Sequence, residues 1–127
     1  MKKQVNTNNS KSGHILSQGI ISSGFIFVSG QVHANAELEL VGNTVAEKVD
    51  QIMQNIKAVL EAADANLDDI VKVVIYVTDM VVMPELNEVY PTYFKPPYPV
   101  REAVCVQGLP LGASIEFSVV AAKQEAQ

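Results

Sequence analysis

Hydrophobic positions along this chain follow two periods, and the places where one gives way to the other predict its elements. From Val45 to Ala63 the apolar residues Val45, Val49, Ile52, Met53, Ile56, Val59, Leu60 and Ala63 recur at steps of three and four, and the polar residues between them include Glu47, Asp50, Gln54, Lys57 and Glu61. That is one face of a helix of about five turns. Thr44-Val45-Ala46-Glu47 forms a capping box at its start: the Thr44 hydroxyl accepts from a free N–H while the Glu47 carboxylate reaches back. At 113–122 the period changes to two, with Ile115, Phe117 and Val119 alternating with Ser114, Glu116 and Ser118, as a half-buried strand requires. Residues 25–29, Phe-Ile-Phe-Val-Ser, are rich in aromatic and β-branched side chains and predict a strand that Gly30 ends. With the extended stretch 15–21 and the turn Ser22-Ser23-Gly24 it makes an opening hairpin, and 31–43 reads as a loop.

Residues 70–78 are apolar on both faces, which predicts an inner strand covered on both sides, one of them by a neighbouring subunit. Pro84 opens a second helix whose stripe is Leu86, Val89, Tyr90, Tyr93 and Phe94, and Pro96-Pro97 stops it. A strand over 100–107 and a turn at Gly108–Gly112 lead into the last strand. The order ββαβαββ is compatible with an α+β fold in which a mixed sheet carries both helices on one face.

Length and composition narrow the class. A chain of 127 residues with 48% hydrophobic side chains sustains one domain and one core. Residues 1–12, rich in Asn, Ser and Lys, read as a flexible N-terminal arm, and 13–127 as the domain. Only 18% of residues are charged, a shortfall that points to buried subunit faces. The net charge of −5 and the scattered lysines disfavour nucleic-acid binding. One cysteine, Cys105, excludes an internal disulfide and reads as a core residue; two distant histidines add no metal spacing. No apolar run approaches the roughly 20 residues of a membrane helix and residues 1–13 lack a signal-peptide pattern, so the expected compartment is the cytoplasm.

Candidate chemistry is sparse. Arg101 is the only arginine, and it follows a proline-rich approach at the start of a strand. Its planar guanidinium suits a carboxylate, though the same pattern also fits a surface arginine or an intersubunit ion pair. Glu116 lies on the polar side of the last strand, where it is either solvated or able to hold a water and move a proton. Ser29-Gly30-Gln31 marks either a turn or a close backbone approach to a ligand. His14 and His33 read as surface residues.

Taken together, Leu16-Ser17-Gln18-Gly19, Phe27-Val28-Ser29-Gly30-Gln31, Asn55-Ile56-Lys57-Ala58-Val59-Leu60-Glu61-Ala62-Ala63, Val71-Lys72-Val73, Asn87-Glu88-Val89-Tyr90, Tyr98-Pro99-Val100-Arg101 and Leu109-Pro110 resemble the Rid/YjgF family over residues 13–122. The resemblance implies a chorismate mutase (AroH)-like fold, a homotrimer with clefts between subunits, no cofactor, and hydrolysis of 2-imino acids and their enamine tautomers to 2-keto acids and ammonia. Other members bind small carboxylates as regulators, and some carry endoribonuclease or translation-inhibitor labels. By the same resemblance Arg101 anchors the substrate carboxylate and Glu116 positions the attacking water. Ser29, Gly30 and Gln31 line the cleft, Asn87 stands near it, and the backbone of Ala103 faces it. Two positions depart from the family pattern. Leu16 replaces a hydrogen-bonding tyrosine, in a stretch one residue longer where His14 is an available substitute. Ser118 replaces a glutamate often found two residues after the catalytic one. These departures keep a non-catalytic carboxylate-binding regulator open as the alternative.

Overall fold

A computed structural model describes residues 1–7 and 15–123 of the chain. Six strands form one sheet: β1 (Lys3–Val5), β2 (Gly19–Ser22), β3 (Phe25–Val32), β4 (Ile70–Val77), β5 (Val100–Cys105) and β6 (Ile115–Ala122). Their order across the sheet is β1-β2-β3-β6-β4-β5; β4 and β5 run parallel and every other pair is antiparallel. The two helices, α1 (Val45–Ala62) and α2 (Met83–Val89), pack on one face, giving the expected α+β architecture.

The α1 boundary follows from its cap. Glu47 N–H donates to the Thr44 hydroxyl at 3.1 Å, and Glu47 Oε1 accepts from the N–H groups of Asn43 and Thr44. The face predicted from periodicity is buried, with Val49, Ile52 and Ile56 fully enclosed against Ile26, Ile75 and Phe117 of the sheet. α2 is shorter than its apolar stripe suggests. Pro91 sits in the turn that follows, and Tyr90–Tyr93 continue as a 3-10 helix that still buries Tyr90 and leaves Phe94 buried just beyond it.

Three expectations are corrected here. The N-terminal arm is not loose throughout: Lys3–Val5 pair with Ile21–Gly19, and Val5 joins the core at 3% exposure. Gly30 does not end β3. The strand runs on to Val32 through an irregularity between Val28 and Gln31, where the pairing with β6 slips. Cys105 is exposed on the outermost strand instead of lying in the core.

β4 lies between β6 and β5, and α1, α2 and their core cover only one of its faces. The opposite face of the sheet leaves Phe25 (42%), Phe27 (46%) and Val104 (40%) exposed, so the second cover expected for this sheet is not supplied by the described residues. No helix among the described residues is long and apolar enough to cross a membrane.

Candidate active site

A cleft of about 400 Å³ opens where the second half of β3, the loop after it, α1 and the Pro110–Gly112 turn converge. Leu16, Ser29, Gly30, Gln31, Leu38 and Leu111 are among its walls, so four of the residues expected at the site meet here. The β3 end is held from below. Ser29 N–H donates to the Gln18 carbonyl at 2.9 Å and Ser29 Oγ to the Ser17 carbonyl at 2.6 Å, while Gln31 Nε2 donates to the Ser29 carbonyl. Asn55 of α1 fixes the exit of the strand by donating to the Val32 and Ala34 carbonyls.

Glu116 reaches this region from β6. A Cβ built on Gly30 would lie 2.5 Å from Glu116 Oε2, so the carboxylate occupies the space that glycine leaves. What comes close to Gly30 is thus a side chain of the same subunit, whereas the sequence offered a turn or an approach to a ligand. Burial pushes the Glu116 carboxyl above its ordinary value, because its charged form has lost part of its water. Such a carboxyl exchanges protons nearer neutrality than a solvated glutamate does.

Arg101 lies elsewhere. It is on β5, the sheet edge, paired with Val73 of β4 and projecting on the helix side, where its guanidinium carbon sits 5.0 Å from the centre of the Tyr90 ring. Tyr90 is buried, and its ring gives the cation a fixed platform. Among the described residues no carboxylate pairs with Arg101, in contrast to Lys72 with Glu102 and Lys95 with Asp68. Ala103 is two residues along the same face of β5, and Asn87 is exposed on α2 three residues before Tyr90, hence next to it on the helix surface.

The predicted residues thus form two groups. Glu116 alternates with the enclosed Ile115 and Phe117 and so projects from the sheet face opposite to Arg101, with β4 between their strands, a separation of about 10 Å in the sheet plane alone. Within one subunit, Arg101, Ala103 and Asn87 do not meet Ser29, Gly30, Gln31, Leu16 and Glu116.

His33 is not a surface residue. It is 3% exposed, with Nδ1 3.0 Å from the Val41 carbonyl and Nε2 accepting from Ser114 N–H at 3.1 Å. Those partners require a neutral ring carrying its proton on Nδ1. Burial lowers the His33 pKa below its ordinary value, and nearby Lys48 adds to the effect. His14 lies outside the described residues. Tyr90, Leu38 and Leu111 went unmarked in the sequence because each looks like ordinary apolar material there; only the tertiary structure sets Tyr90 under Arg101 and the two leucines on the cleft. A second, more open depression of about 520 Å³ at the start of α1 is lined by Glu47 and Asp50, a poor setting for an anion.

The endoribonuclease L-PSP family profile matches residues 7–123. Protein HMF1 of Saccharomyces cerevisiae is 41% identical over 103 residues, covering 81% of this chain and 80% of that protein. A 2-iminobutanoate/2-iminopropanoate deaminase of Dermatophagoides farinae is 32% identical over 105 residues, 82% of each chain. The crystal structure of E. coli TdcF with bound serine superposes with a TM-score of 0.86 at 26% identity, covering 96% of this chain and 99% of that one.

Proposed function

Because this chain belongs to the endoribonuclease L-PSP (YjgF/Rid) family, we propose that it hydrolyses 2-imino acids, and the enamines in equilibrium with them, to 2-keto acids and ammonia in a cleft between two copies of the chain. The carrying observation is the pairing of half-sites. An arginine with no carboxylate partner among the described residues stands on one sheet face at the edge, and a partly desolvated glutamate stands on the other face beside a cleft. Each lacks what the other offers. A neighbouring copy that laid its β5 edge over the β3–β6 region would bring them together and would also cover Phe25 and Phe27. A cyclic homotrimer is the arrangement we favour.

In this reading Arg101 holds the substrate carboxylate through two parallel N–H donors, steadied by Tyr90 beneath it. Glu116 accepts a proton from water as the oxygen attacks the imine carbon. It then returns that proton to nitrogen to give a carbinolamine, and by taking the new hydroxyl's proton and passing it to the same nitrogen it lets the C=O bond form as the C–N bond breaks, so that ammonia leaves and the keto acid remains. The imine is already electrophilic, so orientation of the two reactants supplies much of the acceleration. The serine bound to TdcF carries the same carboxylate, and the mite relative is named for the same reaction.

The test is direct. 2-Iminobutanoate is generated in situ and its disappearance followed with wild type and Arg101→Ala. Wild type is expected to exceed the uncatalysed rate and the variant to fall about 100-fold or more in kcat/KM. Equal rates at background would overturn the enzyme. One observation favours a second reading, a carboxylate-binding regulator: Leu16 lines the cleft and offers no hydrogen bond. That reading is upheld if 2-oxobutanoate binds in an Arg101-dependent manner without any turnover.

A further inference from the structure

We infer that the cleft selects 2-imino acids with a branched five- or six-carbon skeleton, gripping the aliphatic side chain with a rim made by Leu16, Leu38 and Leu111. This deepens the proposed function and rests on it for the identity of the reacting group. The three leucines are 46%, 45% and 51% exposed, and all three line the same cleft. Two of them are held in a conformation that leucine avoids: φ is +62° at Leu38 and +62° at Leu111. Glycine or asparagine would occupy either position with less strain. Neither side chain goes into the core, so packing within the subunit does not account for the strain; strained residues of this kind gather where a ligand is held. Both turns are also locked. Asn35 Oδ1 accepts from the N–H groups of Glu37 and Glu39 around Leu38, and Pro110 and Gly112 flank Leu111.

Three polar side chains of the same walls are already committed. Asn55 bonds to two backbone carbonyls and to Gln51, Gln18 to Thr7, and Ser29 to the Ser17 carbonyl. What the three leucines offer a substrate side chain is aliphatic surface, and a hydroxyl placed against it would find few partners. Space is not limiting. At roughly 30 Å³ per heavy atom, the seven heavy atoms of 2-iminobutanoate need only about 200 Å³, half of the cleft. In apolar pockets each added methylene that finds a wall raises kcat/KM by about 10-fold or more.

The test compares imines made in situ from alanine, serine and leucine. Wild type is expected to show kcat/KM at least about tenfold higher for the leucine-derived imine than for the alanine-derived one. Leu38→Asn/Leu111→Asn, which suits the left-handed backbone while removing the apolar rim, is expected to abolish that ratio. A ratio of two substrates on one preparation cancels any difference in folded fraction. Wild-type ratios near one, or a ratio unchanged in the double variant, would overturn the rim. If wild type turns over none of the imines, the hydrolase reading fails separately, and calorimetry with 4-methyl-2-oxopentanoate and pyruvate decides the rim. Tighter binding of the branched acid, lost in the double variant, supports it, and equal binding or none overturns it.

Discussion

Glu116 and Gly30 act as one device. The glycine's missing side chain leaves room for a carboxylate that burial has made harder to ionise. Gly30→Ala puts a methyl group 2.5 Å from Glu116 Oε2, but the atom it meets is the far end of a flexible side chain, so the carboxylate swings away at small cost to the fold. Activity is therefore expected to fall by about 10-fold or more while the melting temperature changes little. The acid limb of the pH–rate profile carries the same signature. In its proposed role as base, Glu116 loses activity when pH falls through its raised pKa, so the limb should lie above that of an ordinary glutamate, 4.5, and vanish in Glu116→Gln. For stability the sign is reversed: a carboxyl whose folded pKa is raised stabilises the fold only while protonated, and that contribution is lost as pH rises through the folded pKa. Calorimetry at pH 7 should find Glu116→Gln as stable as wild type or more so, with its turnover reduced.

At the scale of elements, His33 joins three parts of the chain. Its ring bridges Val41, at the far side of the loop bearing Leu38, to Ser114, just past the turn bearing Leu111, and Lys48 of α1 donates to the Ser114 hydroxyl. His33→Leu leaves the Val41 carbonyl and the Ser114 N–H without these partners, at about 1–3 kcal/mol for each group that stays dry. Because the folded pKa is lowered, the unfolded chain takes up the proton first as pH falls. The stabilisation is whole above the unfolded value near 6.5 and is lost as pH drops toward the folded one. Melting temperatures of wild type should decline through that window, and His33→Leu should lack this part of the slope. The elements themselves were legible where their causes are local: the Thr44–Glu47 cap, the three- and four-residue steps of α1 and the alternation of β6 are written in adjacent residues. Lys3–Val5 is a strand only because β2 offers a free edge, and His33 is buried only because Val41 and Ser114 come to meet it. Neither cause lies within reach of a sequence window. For the site, Ser29, Gly30 and Gln31 were marked by the family resemblance, because a glycine after a strand fits a plain turn equally well. The strained leucines were not, since nothing in Ala36-Glu37-Leu38 or Leu109-Pro110-Leu111 marks a positive φ.

For the whole molecule, the register of β6, β4 and β5 decides what one copy can do alone. Tyr76 pairs with Glu116 on one side and Val104 on the other, whereas Arg101 pairs with Val73, three residues away and on the opposite pleat. No side-chain rotation brings the guanidinium through the sheet to the carboxylate, so the proposed site needs Arg101 from one copy and Glu116 from another. This gives the assembly a test that no single variant provides. Arg101→Ala and Glu116→Gln are each expected to be nearly inactive by themselves. Unfolded together in equal amounts and refolded, they mix at random, and a cleft that draws Arg101 from a Glu116→Gln chain and Glu116 from an Arg101→Ala chain is intact. That combination arises in about one cleft in four for any closed ring of identical interfaces. Recovered activity near a quarter of the wild-type value would require the site to be shared. A mixture no more active than its components would mean that each chain must supply both groups, which the opposing faces of the sheet do not permit, and the proposed pairing of Arg101 with Glu116 would fall with it.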